Sequence, residues 1–263
     1  MLRIRVCGAA VAVILAASPA MAHDYNWSGL YLGAHGGYGW GDTEYPGLNP
    51  YVAPPATCSN AFGPGQHCGP PRPNMEGGSV GGQIGYNVQL SNVVIGVEAD
   101  YSFAHMEQSL RDGNYIVQTH EITGLGSIRG RLGYSFGRIL PYATAGWAWG
   151  RTGFGQSCPD PISVAAVNTH CSVQQGFAPY NNTKNETVTG WVYGGGVEAA
   201  IVSNWSLRAE YLRYDFDTQS YALGATPSGR DLGSKKLQRE IDTVRIGVNY
   251  RFGGAAADPV SLK

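Results

Sequence analysis

Apolar and polar residues alternate with a period of two along much of this chain. In residues 28–41 the apolar face comprises Leu30, Leu32, Ala34, Tyr38 and Trp40. In residues 240–252 every second residue from 244 is apolar, while Thr243, Arg245 and Arg251 fall on the opposite face. Successive side chains of a strand point to opposite faces, so the pattern predicts strands with one apolar and one polar face.

The same pattern recurs in eight segments: 28–41, 78–90, 93–107, 119–136, 139–153, 187–202, 205–218 and 240–252. Short connections at 91–92, 137–138 and 202–204 alternate with long ones at 42–76, 109–118, 154–186 and 219–238. An even number of strands joined by alternately short and long connections is typical of outer-membrane barrels. We therefore predict an all-β protein, an eight-stranded antiparallel up-and-down transmembrane barrel with both chain ends in the periplasm.

The short hairpins indicate which face meets the lipid. A two-residue turn leaves its flanking residues on the same face, and Leu90 and Val93 are both apolar, as are Phe136 and Ile139. The alternative is a soluble lipocalin-like barrel with the apolar face inside. Small residues on the apolar face, long strands and few lysines on the polar face count against that alternative.

The polar face carries a set of charged residues that this register places in the lumen: Glu98, Asp100, Arg129, Arg131, Glu198, Arg208, Glu210, Arg245 and Arg251. An eight-stranded barrel has room inside only for side chains, and arginine pairs well with carboxylates. We predict a paired charge network that plugs the lumen. Catalysis by the pairs Glu98/Asp100 or Glu198/Glu210 is the alternative, and the near balance of charges favours the structural role.

The two ends of the chain differ from the rest. Arg3 and Arg5 precede an apolar run, and Ala20-Met21-Ala22 has the form of a cleavage site. Residues 1–22 are therefore predicted to be a signal peptide, because the run is too short for a membrane anchor. Residues 23–252 form the predicted barrel, and 253–263 a flexible periplasmic tail.

Four cysteines follow the predicted cleavage site: Cys58, Cys68, Cys158 and Cys171. An even number in an exported chain suggests disulfides, and the spacing favours Cys58–Cys68 and Cys158–Cys171. A zinc site is the weaker alternative, because no cysteine or histidine pair has the spacing of zinc ligands.

Composition narrows the function classes. Charged residues make up 14% of the chain and glycine 38 of 263 residues, with a net charge of -1. No basic stripe with stacking aromatics indicates nucleic-acid binding. No H-E-x-x-H motif occurs, and His120 beside Glu121 is more typical of a polar rim than of a catalytic pair. We expect a protein that is not an enzyme and holds no metal or cofactor.

Several segments resemble a known family. Residues 26–41 read NWSGLYLGAHGGYGWG and residues 243–252 read TVRIGVNYRF. Both ends, together with GGGVE at 194–198 and LRAEY at 207–211, are similar to small outer-membrane β-barrel proteins of alphaproteobacteria, the immunogenic and hemin-binding proteins of the OmpA-like barrel type. The resemblance covers the strands and not the loops, and the tail after Phe252 departs from barrels that end on the final aromatic. It implies membrane integrity, surface exposure and, in some members, hemin binding or adhesion.

We therefore expect a surface antigen of a Gram-negative outer membrane, with a structural and surface-interaction role carried by its long loops. Its expected partners are membrane lipid, lipopolysaccharide (near Arg230, Lys235 and Lys236), the barrel assembly machinery, and host or other surface ligands. The alternative is a hemin or small-ligand receptor or a narrow porin-like channel. Its candidate ligands lie in the loops: Tyr45, Tyr51, His67, His170 and Tyr180.

Overall fold

The protein is a closed barrel of eight antiparallel strands, each hydrogen-bonded to its neighbours in sequence and β8 to β1. The computed structural model describes residues 25–44, 74–111, 117–158, 180–222, 225, 229 and 234–252. The strands are β1 (Gly29–Glu44), β2 (Asn74–Leu90), β3 (Val93–Arg111), β4 (Val117–Tyr134), β5 (Ile139–Cys158), β6 (Tyr180–Val202), β7 (Trp205–Ala222) and β8 (Ser234–Phe252). No helix among these residues is long and apolar enough to cross a membrane. The predicted fold class is confirmed.

The strands continue further on the loop side than the alternation predicted. The connection predicted at 154–186 is shorter in the structure, because β5 runs to Cys158 and β6 starts at Tyr180. In these outer ends both faces carry polar residues, so the period of two in hydrophobicity fades although the backbone pairing continues. The short turns lie where predicted, and Ser91 and Ser203 adopt positive φ angles of 56° and 45°.

The outward face is apolar, and most of its large side chains are exposed in the isolated chain. On β3 it extends from Val93 to Phe103, the latter 68% exposed. Ten steps of about 3.3 Å, tilted by about 40°, give an apolar belt roughly 25 Å tall, the height of a membrane's hydrocarbon layer. Gly126 on this face allows Trp149 to lie flat, since a Cβ there would sit 2.4 Å from the indole. Oily residues therefore point outwards, as the hairpin parity predicted.

Irregular pairings change the register near the outer side of the belt. They lie between Phe103 and Met106 in β3, Ile122 and Gly124 in β4, and Phe216 and Gln219 in β7. A β-bulge adds one residue to a strand and so reverses the alternation beyond it. For this reason Ile122 and Leu125 both point into the lumen, although uniform alternation would separate them.

Side chains fill the lumen in successive layers. At the periplasmic end Trp27 packs with Val94 and Leu140. Charged residues fill the middle. An apolar layer follows towards the outside: Met75, Ala104, Met106, Ile122, Leu125, Ala148, Val188, Val192, Leu212, Tyr214, Phe216 and Ile241.

Candidate functional site

The middle layer contains eight of the nine charged residues that the sequence placed in the lumen. They occupy inward positions on β3, β4, β6, β7 and β8, and each is at most 4% exposed: Glu98, Asp100, Arg129, Arg131, Glu198, Arg208, Glu210 and Arg245. Four carboxylates face four guanidinium groups, so the layer is electrically balanced when all are ionised.

Three arginines surround two glutamates at the centre. Arg129 contacts Glu98 at 2.5 Å and Glu210 at 3.0 Å. Arg208 joins the same carboxylates at 2.6 and 2.8 Å. Arg245 links Glu210 at 2.7 Å to Asp100 at 2.9 Å. Each central carboxylate therefore has at least two guanidinium partners, and no single arginine holds the cluster alone.

Arg131 and Glu198 form a second pair towards the periplasm. The Glu198 carboxylate also accepts hydrogen bonds from Ser206 at 2.5 Å and from the Asn249 amide at 2.9 Å. The Arg131 guanidinium lies 3.7 Å from the centre of the Tyr142 ring. Polar side chains thus stabilise the buried Glu198 carboxylate, and an aromatic ring stabilises the buried Arg131 guanidinium.

A chain of neutral polar groups extends the charged layer. The ring of His35 contacts Gln83 through Nδ1 at 2.5 Å and Ser102 through Nε2 at 2.7 Å. Gln83 then donates to the Asn249 side chain at 2.6 Å. The Tyr31 hydroxyl donates to Glu98 at 2.6 Å. Tyr31 and His35 alternate with the apolar residues of 28–41, so the period of two gives their face but not these partners.

Arg251, the ninth predicted residue, lies apart from the charged layer. Its guanidinium donates to the Asn26 carbonyl and the Tyr25 hydroxyl, and it lies 4.9 Å from the Trp27 ring. The prediction of Arg251 in the ion-pair network is therefore corrected. The reason is its position one residue from the strand end, where the N-terminal segment and not a carboxylate lies opposite.

That N-terminal segment, residues 25–28, crosses the periplasmic mouth and contacts the end of β2 and the short turns at Gly137 and Ser203. The Trp27 amide donates to Gln89 at 2.7 Å, and its indole donates to the Gly137 carbonyl at 3.0 Å. The Tyr25 hydroxyl donates to the Ser203 carbonyl at 3.4 Å. Burial raises the pKa of Tyr25 above its ordinary value, which keeps this hydroxyl protonated at neutral pH. We call residues 25–28 the periplasmic latch.

The outer half of the lumen holds a further polar group that the sequence missed. Arg239 is 1% exposed and donates to the Tyr221 hydroxyl at 2.6 Å. Thr152 and Tyr221 share a hydrogen bond of 2.8 Å beside it. The sequence could have predicted this position, because extending the alternation of β8 by one residue before 240 places Arg239 on the lumen face.

Of the predicted disulfide cysteines and loop ligands, Cys158 and Tyr180 lie in the described part of the chain. Tyr180 is buried and its hydroxyl accepts a hydrogen bond of 3.0 Å from Gln156, while Cys158 is buried at the end of β5. The remaining candidates lie outside the described residues: Tyr45, Tyr51, Cys58, Cys68, His67, His170, Cys171 and Arg230. Both disulfide pairings and the loop-ligand set therefore stay predictions.

The adjacent residues His120 and Glu121 point to opposite sides of β4. His120 is buried in the lumen beside Phe154, with ring centres 5.0 Å apart, and Glu121 lines a groove on the outside. In the part of the chain that the structure describes, no group of three or more His, Cys, Asp or Glu is arranged to hold a metal ion.

Comparison with known proteins points to one family. A family model described as an outer membrane protein beta-barrel domain matches residues 8–252. The 31 kDa outer-membrane immunogenic protein of Brucella melitensis is 29% identical over 90% of this chain and 88% of its own length. The 22 kDa outer membrane protein of Rhizobium leguminosarum bv. viciae is 27% identical over 86% and 79%. Neisserial surface protein A superposes with a TM-score of 0.40 at 14% identity, covering 86% of this chain and 98% of its own.

Proposed function

The chain belongs to the outer membrane protein beta-barrel domain family, and from this premise we propose that it supports the integrity of the outer membrane and interacts with surface ligands. It is an outer-membrane protein. One observation carries the proposal: the described lumen is filled with side chains, whereas the strands continue beyond the apolar belt on the loop side. Neither the family nor the lumen gives a positive indication of catalysis.

The filled lumen argues against transport. An ion that entered from the periplasm would first meet the buried Trp27, then the salt-bridged layer, then the apolar layer. Moving one arginine aside would leave partners that are uncompensated inside the barrel, at a cost of several kcal/mol each. We expect the barrel to act as a closed wall, and the porin-like alternative to fail.

The outer ends of β4, β5 and β6 supply a surface for interaction. Above the apolar belt their outward side chains are polar, and a groove of about 390 Å³ runs between them. It is lined by Glu121, Thr123, Arg151, Thr152, Asn185, Glu186 and Thr187. Hydroxyl and amide groups at this height face the sugar and phosphate region of the outer leaflet, which suits contact with lipopolysaccharide.

The test of the structural role is a deletion of the gene in the parent bacterium. We expect greater uptake of the apolar dye N-phenyl-1-naphthylamine, restored by the wild-type gene. A matched variant in which residues 45–73 are replaced by a short Gly-Ser turn should also restore the barrier, because β1 and β2 remain intact. Unchanged dye uptake in the deletion strain refutes the structural role.

The same strains test the surface role. Cells carrying the shortened variant should attach less well to host-cell layers and aggregate less than cells carrying the wild type, at equal amounts of protein in the outer membrane. Equal attachment and aggregation would refute an interaction carried by this loop.

The small-ligand alternative has less support. Of its five candidate ligands only Tyr180 is described, and its hydroxyl is occupied by Gln156. A hemin titration of the purified barrel followed at the Soret band is its test, and an unchanged spectrum ends it.

A further inference from the structure

Among the residues that the structure describes, one positive charge in the outer half of the lumen has no negative partner. Arg239 lies on β8 opposite Thr43 of β1 and Phe216 of β7, and it points inwards. Its Nη1 donates to Tyr221 at 2.6 Å and approaches Thr152 at 3.4 Å. Its Nε and Nη2 have no hydrogen-bond partner, although both atoms are buried.

The carboxylates of the charged layer do not reach this group. Along β8 the inward positions run from Arg239 through Ile241 and Thr243 to Arg245, about 20 Å of strand. Ile241 and Phe216 belong to the apolar layer that fills this interval. Among the described residues no carboxylate lies within 4.0 Å of the Arg239 guanidinium, whereas the arginines of the charged layer all have one.

A buried positive charge without a negative partner is strongly unfavourable, and arginine does not relieve it by losing its proton. The Tyr221 ring, whose centre lies 5.2 Å from the Arg239 guanidinium, offsets only part of that cost. An anion would supply the missing charge and accept the free N–H groups. Thr152 and Tyr221 add hydroxyls that can turn to donate to the same anion. The neighbouring ring of Phe154, 5.8 Å from that of Tyr221, excludes water from one side.

We propose that Arg239, Thr152 and Tyr221 form a binding site for a small inorganic anion in the outer half of the lumen. The low exposure of Arg239, Thr152, Tyr221 and Phe154, each at most 2%, favours a small ion such as a halide over an organic acid. The site lies above the apolar layer, so the anion enters from the cell surface. Chloride is the probe ion.

The experiment uses the refolded full-length mature barrel in detergent. The midpoint of its heat-induced gel-mobility shift is measured in sodium chloride and in sodium gluconate at equal ionic strength, since gluconate is too large for the site. Chloride should raise the midpoint by on the order of 3–5 °C for each tenfold increase above its dissociation constant. The variant Arg239→Met should lose this response and melt higher than the wild type in gluconate.

Arg213→Met is the matched control. Arg213 lies on the outside of the neighbouring strand β7 and pairs with Asp242 and Glu240, so its loss should leave the chloride response intact. Tyr221→Phe removes one hydroxyl and should weaken the response, which keeps the test informative if Arg239→Met does not fold.

A crystal of the wild type soaked in bromide tests the anion site without the use of any variant. An anomalous peak beside the Arg239 guanidinium supports the site. A water in that position, or equal midpoints in chloride and gluconate, overturns it.

Discussion

The central ion pairs predict a specific form of non-additivity. Arg129→Met removes the guanidinium that contacts Glu98 at 2.5 Å, Glu210 at 3.0 Å and Asp100 at 3.2 Å. Breaking a buried pair from one side costs roughly 3–5 kcal/mol. Because Arg208 and Arg245 still contact these carboxylates, we expect a loss near the lower end, about 3 kcal/mol. Glu98→Gln should cost a similar amount, since it leaves both Arg129 and Arg208 with one partner fewer.

The double variant should lose less than the sum of the two single losses. Residues in direct contact within one network show coupling energies of about 0.5–3 kcal/mol, and we expect the upper half of that range for a contact of 2.5 Å between fully buried side chains. The assay is urea unfolding of the barrel in lipid vesicles, followed by tryptophan fluorescence, for the wild type and all three variants. Additive losses would refute the inference that Arg129 and Glu98 are energetic partners.

A second arginine provides the control for that cycle. Arg213 pairs with Glu240 and Asp242 on the outer surface, where its side chain is 32% exposed. Exposed pairs contribute about 0–1 kcal/mol. Arg213→Met should therefore lower the free energy of unfolding by less than 1 kcal/mol by the same estimate. A loss as large as that of Arg129→Met would mean that burial does not set the strength of these pairs.

Three further predictions concern the latch, the outward face and conduction. Trp27→Ala should lower the free energy of unfolding by about 3–5 kcal/mol in the urea assay, because the indole fills the periplasmic end, whereas lipid-facing Trp205→Ala should cost clearly less. Gly126→Val should displace the Trp149 ring, which a Cβ would approach to 2.4 Å, and shift the tryptophan emission of the folded barrel; an unchanged spectrum contradicts the packing. In planar bilayers the wild type should give no stepwise conductance, and regular open levels would show that the charged layer is not a plug.

The strands and their faces could be predicted from sequence because lipid imposes an unbroken apolar face over the belt. The ends of the strands were harder to predict, because the requirement for an apolar face stops at the edge of the belt. Beyond the belt the outer ends of β5 and β6 have polar residues on both faces, so hydrophobicity did not mark them. The bulge between Ile122 and Gly124 reverses the alternation, and nothing in the local sequence announces it.

The site shows the same limit. The charged residues of the middle layer were recognisable because a period of two separates them from the lipid face. Their pairings were not, since Arg208 meets Glu98 across the lumen from a residue 110 positions away. Arg251 was misassigned because the alternation gives the face of a side chain and not its neighbour at the strand end.

The contacts of the periplasmic latch also depend on how far assembly of the barrel has proceeded. Its contacts join Tyr25, the first residue that the structure describes, to the turn at Ser203 and to Arg251, which are 178 and 226 positions later in the chain. The latch can therefore close only after the last hairpin has joined the first strand. Slow hydrogen exchange at the Trp27 indole would mark barrels that have completed insertion, and fast exchange would mark those still open at the β1–β8 seam. A residue near the N-terminal end of the barrel thus reports whether the final step of assembly, closure of the β1–β8 seam, has taken place.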